Sequence, residues 1–166
     1  MEPQQFIEQI GPGAHQSNID TGIPASITLA QAALESGWGG SGLAMQCKNL
    51  FGIKCSPEWT GKCQNWPTEE WSAEQGWYEI EAPFRVYPDW AASMDDHAQF
   101  FFVNSRYAPA LAVRGDSNEW ARQIQACGYA TAPDYADQLI QIAQQFNLYF
   151  WDVPQDKWEL LPWAKA

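Results

Sequence analysis

The chain has 166 residues and a hydrophobic share of 46%, which suits one domain of one or two lobes and excludes wholesale disorder. Its 20 acidic residues against 9 Lys and Arg give a net charge of −11, which repels nucleic-acid phosphates and anionic membrane surfaces. No apolar run approaches the ~20 residues that span a bilayer, so we expect neither nucleic-acid binding nor membrane insertion.

The first third of the chain is predicted to be helical. Two short helices are expected at residues 3–10 and 13–21, each followed by a glycine. The clearest helix covers residues 24–36, with Pro24 near its start and glycines beyond its end. Apolar positions recur there at helical spacing and are expected to face the core: Ile27, Ala30, Ala33 and Leu34.

The middle of the chain is predicted to form a small β-lobe at about residues 55–87. Residues 37–67 lack a sustained period and are predicted to be loop with short extended pieces. Residues 76–87 alternate as a strand does, and we expect them to pair with an extended piece within residues 59–68.

Helices resume in the last part of the chain, at about residues 89–103, 118–126 and 133–146. Thr131 is a candidate N-cap of the last one. The order of helices, hairpin and helices predicts an α+β class that is mostly helical. We expect a domain at residues 1–148 and a tail at 149–166, rich in tryptophan, that either packs across the domain or hangs free.

Four cysteines are compatible with two disulfides or with none, and their spacings do not match a structural zinc site. We expect Cys55–Cys63 to close a short loop, with Cys47–Cys127 as a second bridge. No metal or cofactor is expected. The N-terminus lacks the charged and apolar regions of a secretory signal, so disulfides would imply another route to an oxidising compartment.

Glu35 is the residue that most suggests catalysis. It lies in the last turn of the clearest predicted helix, where the helix dipole disfavours a carboxylate, and Trp38 follows it closely. Both the dipole and the exclusion of water raise a carboxyl pKa, which suits a general acid. Other chemistries lack their motifs, and His97 is expected on a helix surface or at the edge of the core.

The sequence resembles glycoside hydrolase family 73, the bacterial and phage endo-β-N-acetylglucosaminidases that act on peptidoglycan. Residues 26–39, SITLAQAALESGWG, resemble the family signature. Four further stretches follow in family order between residues 49 and 135: NLFGIK, APFRVY, SRY and GYATAPDY. The resemblance covers roughly residues 6–146. It implies a lysozyme-like fold in which a saccharide cleft separates a helical lobe from a small β-lobe.

The resemblance also implies roles for individual residues. It makes Glu35 the general acid, and the segment TEEW at residues 68–71 selects Glu70 as the second carboxylate, with Glu69 as the adjacent rival. Distance would decide between a retaining and an inverting reaction, and the substrate's N-acetyl group could also act as the nucleophile. The residues expected to contact substrate are Trp38, Asn49, Phe51, Tyr107 and Tyr129.

The resemblance implies cleavage of the bond between N-acetylglucosamine and N-acetylmuramic acid. The alternatives are a lytic transglycosylase or muramidase, and an inactive glycan-binding module. Two routes to the wall are considered: a phage-type endolysin, or a type VI secretion effector that reaches the periplasm without a signal peptide. The cysteines favour the effector, which implies a cognate immunity protein, and the −11 charge could steer a basic partner.

Overall fold

The computed structural model describes residues 1–161, apart from the side chains of Glu70, Trp71 and Gln155. Helices precede and follow a two-stranded antiparallel sheet within that range. The mostly helical α+β class is therefore confirmed. The elements in chain order are α1 (Pro3–Thr21), α2 (Ala25–Ser36), α3 (Gly42–Gln46), β1 (Cys63–Ser72), β2 (Gly76–Arg85), α4 (Trp90–Val103), α5 (Ala108–Ala112), α6 (Ser117–Ala126) and α7 (Tyr135–Gln145), with 3-10 helices at Ser105–Tyr107, Leu148–Trp151 and Gln155–Leu160.

Helix α2 is the centre of the helical lobe and contacts α1, α6, α7 and the 3-10 helix at Leu148–Trp151. Ten of its twelve residues are buried, as expected for a helix with apolar or small side chains on every face. The predicted helix at residues 24–36 is thereby confirmed. Leu34 is the exception: it was expected to face the core, but it is 36% exposed because the last turn of α2 reaches the surface.

Helix α1 is one continuous helix, so the prediction of two short helices was wrong. Pro12 lies inside it, where a proline removes one backbone hydrogen bond. The helix continues because one apolar face stays buried on both sides of the proline, through Phe6, Ile10 and Ala14. Gly11 permits close packing there, since a Cβ atom at this position would lie 2.5 Å from the Trp151 ring.

The later helices are confirmed with small shifts of their ends. Asp116 caps α6 by accepting a hydrogen bond from the Glu119 amide. Thr131 does not cap α7, which begins four residues later with no side-chain cap from its own N-cap residue. Instead, Gln125 of α6 accepts a hydrogen bond from the Ala136 amide, so a neighbouring helix satisfies the first turn of α7.

The predicted hairpin is present, but its first strand begins and ends about four residues later than expected. The turn at residues 73–75 follows Ser72, and Gly76 has a φ of 68°, the left-handed conformation that glycine adopts easily. In β2, the buried residues are Ala82 and Phe84, at the end of the hairpin nearest the helices. Trp66 lies close to α3, where a Cβ atom on Gly42 would be 2.2 Å from the Trp66 ring.

The disulfide prediction is half right. Cys55 and Cys63 are bonded, and they join the loop before β1 to the first residue of that strand. Cys47 and Cys127 are both free. They occupy the C-cap positions of α3 and α6, and Cys47 is completely buried, so each thiol packs within its own part of the core.

The described part of the tail packs across the domain. Asp152 accepts hydrogen bonds from the amide and hydroxyl of Ser26 in α2 and from the Ser117 hydroxyl in α6. The Val153 amide donates to the buried side chain of Asn18 in α1. Trp163 lies outside the described residues. Among residues 1–161, no helix combines the length and apolar character needed to cross a membrane.

Candidate active site

A cleft of about 910 Å³ opens between the end of α2 and the loop that carries the disulfide. Its lining combines aromatic rings with charged and amide side chains, as saccharide clefts commonly do. Four of the residues singled out from the sequence line it: Glu35, Phe51, Tyr107 and Tyr129.

Glu35 projects into this cleft from the last turn of α2. The backbone turns away directly after it, since Gly37 has a left-handed φ of 55° and the Trp38 amide closes the helix on Ala33. Although the residue is exposed on the cleft side, the surrounding protein removes water and raises the pKa of its carboxyl group. The helix end therefore holds a carboxyl group that keeps its proton at a higher pH than an ordinary glutamate.

Tyr135 fixes the orientation of the Glu35 carboxyl group. The Tyr135 hydroxyl donates to Glu35 Oε1 at 3.1 Å and accepts a hydrogen bond from the Gln31 side chain at 3.0 Å. This hydrogen bond lowers the pKa of Glu35, but the effect of burial is larger. Gln31 and Glu35 are one helical turn apart on α2, so Tyr135 bridges two positions of the same helix face.

Tyr135 lies within the last predicted helix at an apolar spacing that indicates only a core position, so the sequence did not predict its contact with Glu35. The signal in the sequence was its position at the end of the GYATAPDY stretch, which also contains Tyr129, the expected cleft tyrosine. Tyr129 stacks on Tyr135, with ring centroids 5.7 Å apart. Burial raises the pKa of both phenols, so each remains a neutral hydrogen-bond donor.

Aromatic side chains form the floor of the cleft. Phe51 is buried, lines the cleft and stacks on His97 at 3.8 Å between ring centroids. Tyr107 also lines the cleft and lies close to Phe101 beneath it. The expectation that His97 is at a helix surface or core edge was wrong. His97 is fully buried in α4, and burial lowers its pKa to about 3, which keeps the ring neutral.

Asn49 and Trp38 lie behind the lining of the cleft. The Asn49 side chain is buried; it donates to the carbonyls of Ile53 and Arg85 and accepts from the Ile53 amide, so it ties the cleft loop to β2. Trp38 contacts Phe6 and Phe146 through edge-to-face rings. Neither residue is among those lining the cleft.

An aromatic and ionic cluster beside the disulfide also lines the cleft. The Arg85 guanidinium group lies 4.6 Å from the Trp59 ring and pairs with Asp96 at 2.8 Å. Arg85 also donates to the Lys54 carbonyl, and Tyr87 donates to Asp96. This cluster joins the loop, the base of the hairpin and α4, and so it fixes the width of the cleft.

The hairpin register separates the two candidates for the second carboxylate. Position 70 pairs with Tyr78, in the same row of the sheet as the pair Trp66–Ala82. Glu69 is exposed and pairs with Glu79 in the opposite row. The side chain of Glu70 itself lies outside the described residues.

Comparisons with known proteins agree with this architecture. A family profile described as mannosyl-glycoprotein endo-beta-N-acetylglucosaminidase matches residues 11–148. The chain is 37% identical to peptidoglycan hydrolase FlgJ of Vibrio parahaemolyticus over 148 residues, covering 87% of this chain and 48% of FlgJ. It is 39% identical to exo-glucosaminidase LytG of Bacillus subtilis over 157 residues, covering 91% of this chain and 54% of LytG.

The chain thus spans about half the length of these two relatives. The crystal structure of the catalytic domain of the autolysin Auto from Listeria monocytogenes superposes with a TM-score of 0.81 at 33% identity, covering 90% of this chain and 87% of that domain. By profile, sequence and structure, the chain belongs to the glucosaminidase family of glycoside hydrolases, family 73, and has its lysozyme-like fold.

Proposed function

We propose that this chain hydrolyses the β-1,4 bond between N-acetylglucosamine and N-acetylmuramic acid in peptidoglycan. The observation that carries the proposal is Glu35: a carboxyl group with a raised pKa, oriented by Tyr135, at the edge of a large aromatic cleft. A glycosidase needs such an acid to protonate the departing sugar oxygen. The names of FlgJ and LytG, a peptidoglycan hydrolase and a glucosaminidase, support the substrate class.

Glu35 gives its proton to the glycosidic oxygen as the bond breaks. Burial raises the pKa of this carboxyl group, so it keeps a proton to give at a higher pH than an ordinary glutamate does. The Tyr135 hydroxyl then stabilises the carboxylate that remains, because a hydrogen bond to a charged acceptor is stronger than one to a neutral acceptor. The same pair of residues thus serves the enzyme before and after proton transfer.

Glu70 is proposed as the second carboxylate, in preference to Glu69. Its support is the register, which places position 70 in the row of Trp66 and Ala82, at the face of the sheet that packs towards the helical lobe. There it would activate water or stabilise the oxocarbenium-like transition state. Phe51, Tyr107 and Tyr129 are proposed to contact the sugar rings, while Trp38 and Asn49 support the cleft from behind.

The test is the Glu35→Gln variant, which keeps the shape of the side chain but has no proton of suitable acidity to give. We expect turnover of purified sacculi to fall by about a thousandfold or more, with the circular dichroism spectrum unchanged. Tyr149→Phe, a change in the tail at a residue outside the lining of the cleft, is the control. Retained turnover in Glu35→Gln would overturn the assignment.

The products of digestion distinguish this reaction from its relatives. A hydrolytic glucosaminidase leaves N-acetylglucosamine at the new reducing end, whereas a muramidase leaves N-acetylmuramic acid there. A lytic transglycosylase gives an anhydro-muramyl product that is one water lighter. Mass spectrometry after reduction of the ends separates all three, and only the first outcome supports the proposed bond.

We further propose that the enzyme acts in the periplasm or cell wall, as an antibacterial effector with a cognate immunity protein. The Cys55–Cys63 disulfide supports an oxidising workplace, and the charge of −11 supports a basic partner. Expression directed to the periplasm of a bacterial host should cause lysis, while cytoplasmic expression should not. A neighbouring gene for a periplasmic protein that blocks the cleft would support the effector, and neighbouring holin or tail genes would support the endolysin.

A further inference from the structure

Arg106 is a cationic side chain at the cleft that does not take part in the ionic cluster of Arg85 and Asp96. It lies in the 3-10 helix at Ser105–Tyr107, lines the cleft and is exposed. The ion pairs found among the described residues are Arg85–Asp96 and Arg122–Glu119, and neither includes Arg106. In a chain with 20 acidic and 9 basic residues, an arginine at a cleft that pairs with no carboxylate of the described side chains is available to an anionic ligand.

The surroundings of Arg106 hold its guanidinium group in a defined place. The group lies over the Tyr107 ring, 4.8 Å from its centroid. Its Nη1 atom lies 4.0 Å from the position that a Cβ atom on Gly128 would occupy, beside Tyr129. Tyr129 is near enough to Glu35 to feel its charge. Arg106 and Glu35 therefore line the same cleft, and Tyr129 is close to both of them.

A planar guanidinium group held this way matches the geometry of a carboxylate, to which it can donate two parallel hydrogen bonds. Muramic acid offers such a group, because its 3-O-lactyl ether ends in a carboxylate or carries a peptide with carboxylates of its own. N-acetylglucosamine has no carboxylate. A site that uses Arg106 would consequently distinguish muramyl glycans from neutral, chitin-type glycans.

We propose that Arg106 binds a carboxylate of the substrate and so determines a preference for muramyl glycans over neutral ones. The inference rests on the proposed function, since it concerns the same cleft. It assigns no part in bond cleavage to Arg106. The expected kinetic signature is accordingly a change in KM with little change in kcat, as for a contact made equally in the ground state and the transition state.

The experiment compares Arg106→Gln with wild type on soluble peptidoglycan fragments and on the same fragments with their carboxylates converted to methylamides. We expect Arg106→Gln to lower kcat/KM about tenfold on the native fragments by raising KM. Amidation of the fragments should not lower kcat/KM of this variant any further. Wild type should lose the same factor on amidation. Arg122→Gln, a change at an exposed ion pair on α6, is the matched control and should behave as wild type does.

Two outcomes would overturn the proposal. In the first, amidation does not change kcat/KM of the wild-type enzyme. In the second, Arg106→Gln lowers kcat/KM by the same factor on native and amidated fragments, which would indicate a structural role through Tyr107. Fragments stripped of peptide separate the two sources of the carboxylate, because an effect that persists on them comes from the lactyl group. Calorimetric binding of the same fragments to Glu35→Gln, with and without Arg106→Gln, measures the contact even if wild type proves inactive. Inactivity of wild type would refute the proposed function, whereas equal binding by the two variants would refute only the role of Arg106.

Discussion

The two lobes of the molecule hold their carboxylates in opposite ways. Glu35 ends a helix that is buried on nearly every side, and Tyr135 fixes its carboxyl group. Glu70 belongs to a hairpin whose two strands pack chiefly against each other. The buried residues of β2 are Ala82 and Phe84, and Trp77 near the turn is 71% exposed. Dense packing makes local opening costly, and sparse packing makes it cheap. The proposed acid is therefore preorganised, whereas the proposed second carboxylate belongs to the more sparsely packed lobe.

A large effect, though smaller than that of Glu35→Gln, is expected if the hairpin takes part in the chemistry. Glu70→Gln should lower kcat on sacculi by about a hundredfold, because the neutral amide neither activates water nor stabilises a developing cation. Glu69→Gln changes the same charge one position away in the opposite row, and should leave kcat within about twofold of wild type. Steady-state kinetics on both variants check this. Equal effects of the two substitutions would contradict the separation by row, and no effect of either would leave Glu35 as the sole acting carboxylate.

A smaller effect is expected from the disulfide that joins the cleft loop to the first strand of the hairpin. Replacing Cys55 and Cys63 together by serine should lower the free energy of unfolding by about 2–3 kcal/mol, the usual cost of releasing a loop of this length. Thermal denaturation measures the loss. Activity should fall as well, because Trp59 lies inside the released loop and lines the cleft. Cys127→Ser changes a free thiol and is the control.

Treatment with a reductant should reproduce the double variant and leave the double variant itself unchanged. If reduction inactivates both proteins equally, the loss does not arise from this disulfide. The comparison thus shows how far the cleft depends on the covalent link between the loop and the hairpin.

The smallest expected effect concerns the hydrogen bond from Tyr135 to Glu35 in the helical lobe. Tyr135→Phe removes the hydrogen bond that lowers the pKa of Glu35, so the pKa should rise further. A general acid loses activity as the pH rises through its pKa, so the alkaline limb of the pH profile should move to higher pH. The maximal rate should fall by about fivefold, the value of one modest hydrogen bond. An unchanged alkaline limb would mean that Glu35 does not set it.

Local patterns in the sequence were enough to predict most of the fold. The helix at residues 24–36, the later helices and the α+β class all follow from helical spacing, glycine and proline positions, and strand alternation. The errors have one physical source. Pro12 ends a helix by local propensity, but burial of α1 on both sides of it overrides that propensity. The disulfide predicted between Cys47 and Cys127 failed similarly, since pairing depends on tertiary distance.

The site was less predictable than the fold, for the same reason. Glu35 could be selected because its helix end, its glycine exit and the family motif all lie within a few residues. Tyr135 could not, because a tyrosine at the apolar spacing of a helix is explained equally well by the core, and its contact with Glu35 spans 100 residues. For Asn49, the sequence did not reveal the hydrogen bonds that its amide group donates to the carbonyls of Ile53 and Arg85, the second of which is 36 residues away.

The facing glutamates of the hairpin have a consequence for solubility. A two-stranded sheet leaves backbone donors and acceptors unpaired along its outer edges, and such edges invite strands from other copies to add on. Glu69 opposite Glu79, with Glu81 further along the second strand, places like charges where a visiting strand would align. The repulsion costs some hairpin stability but discourages fibrous assembly. Replacing these three glutamates by glutamine should remove the protection, so self-association should become detectable by light scattering.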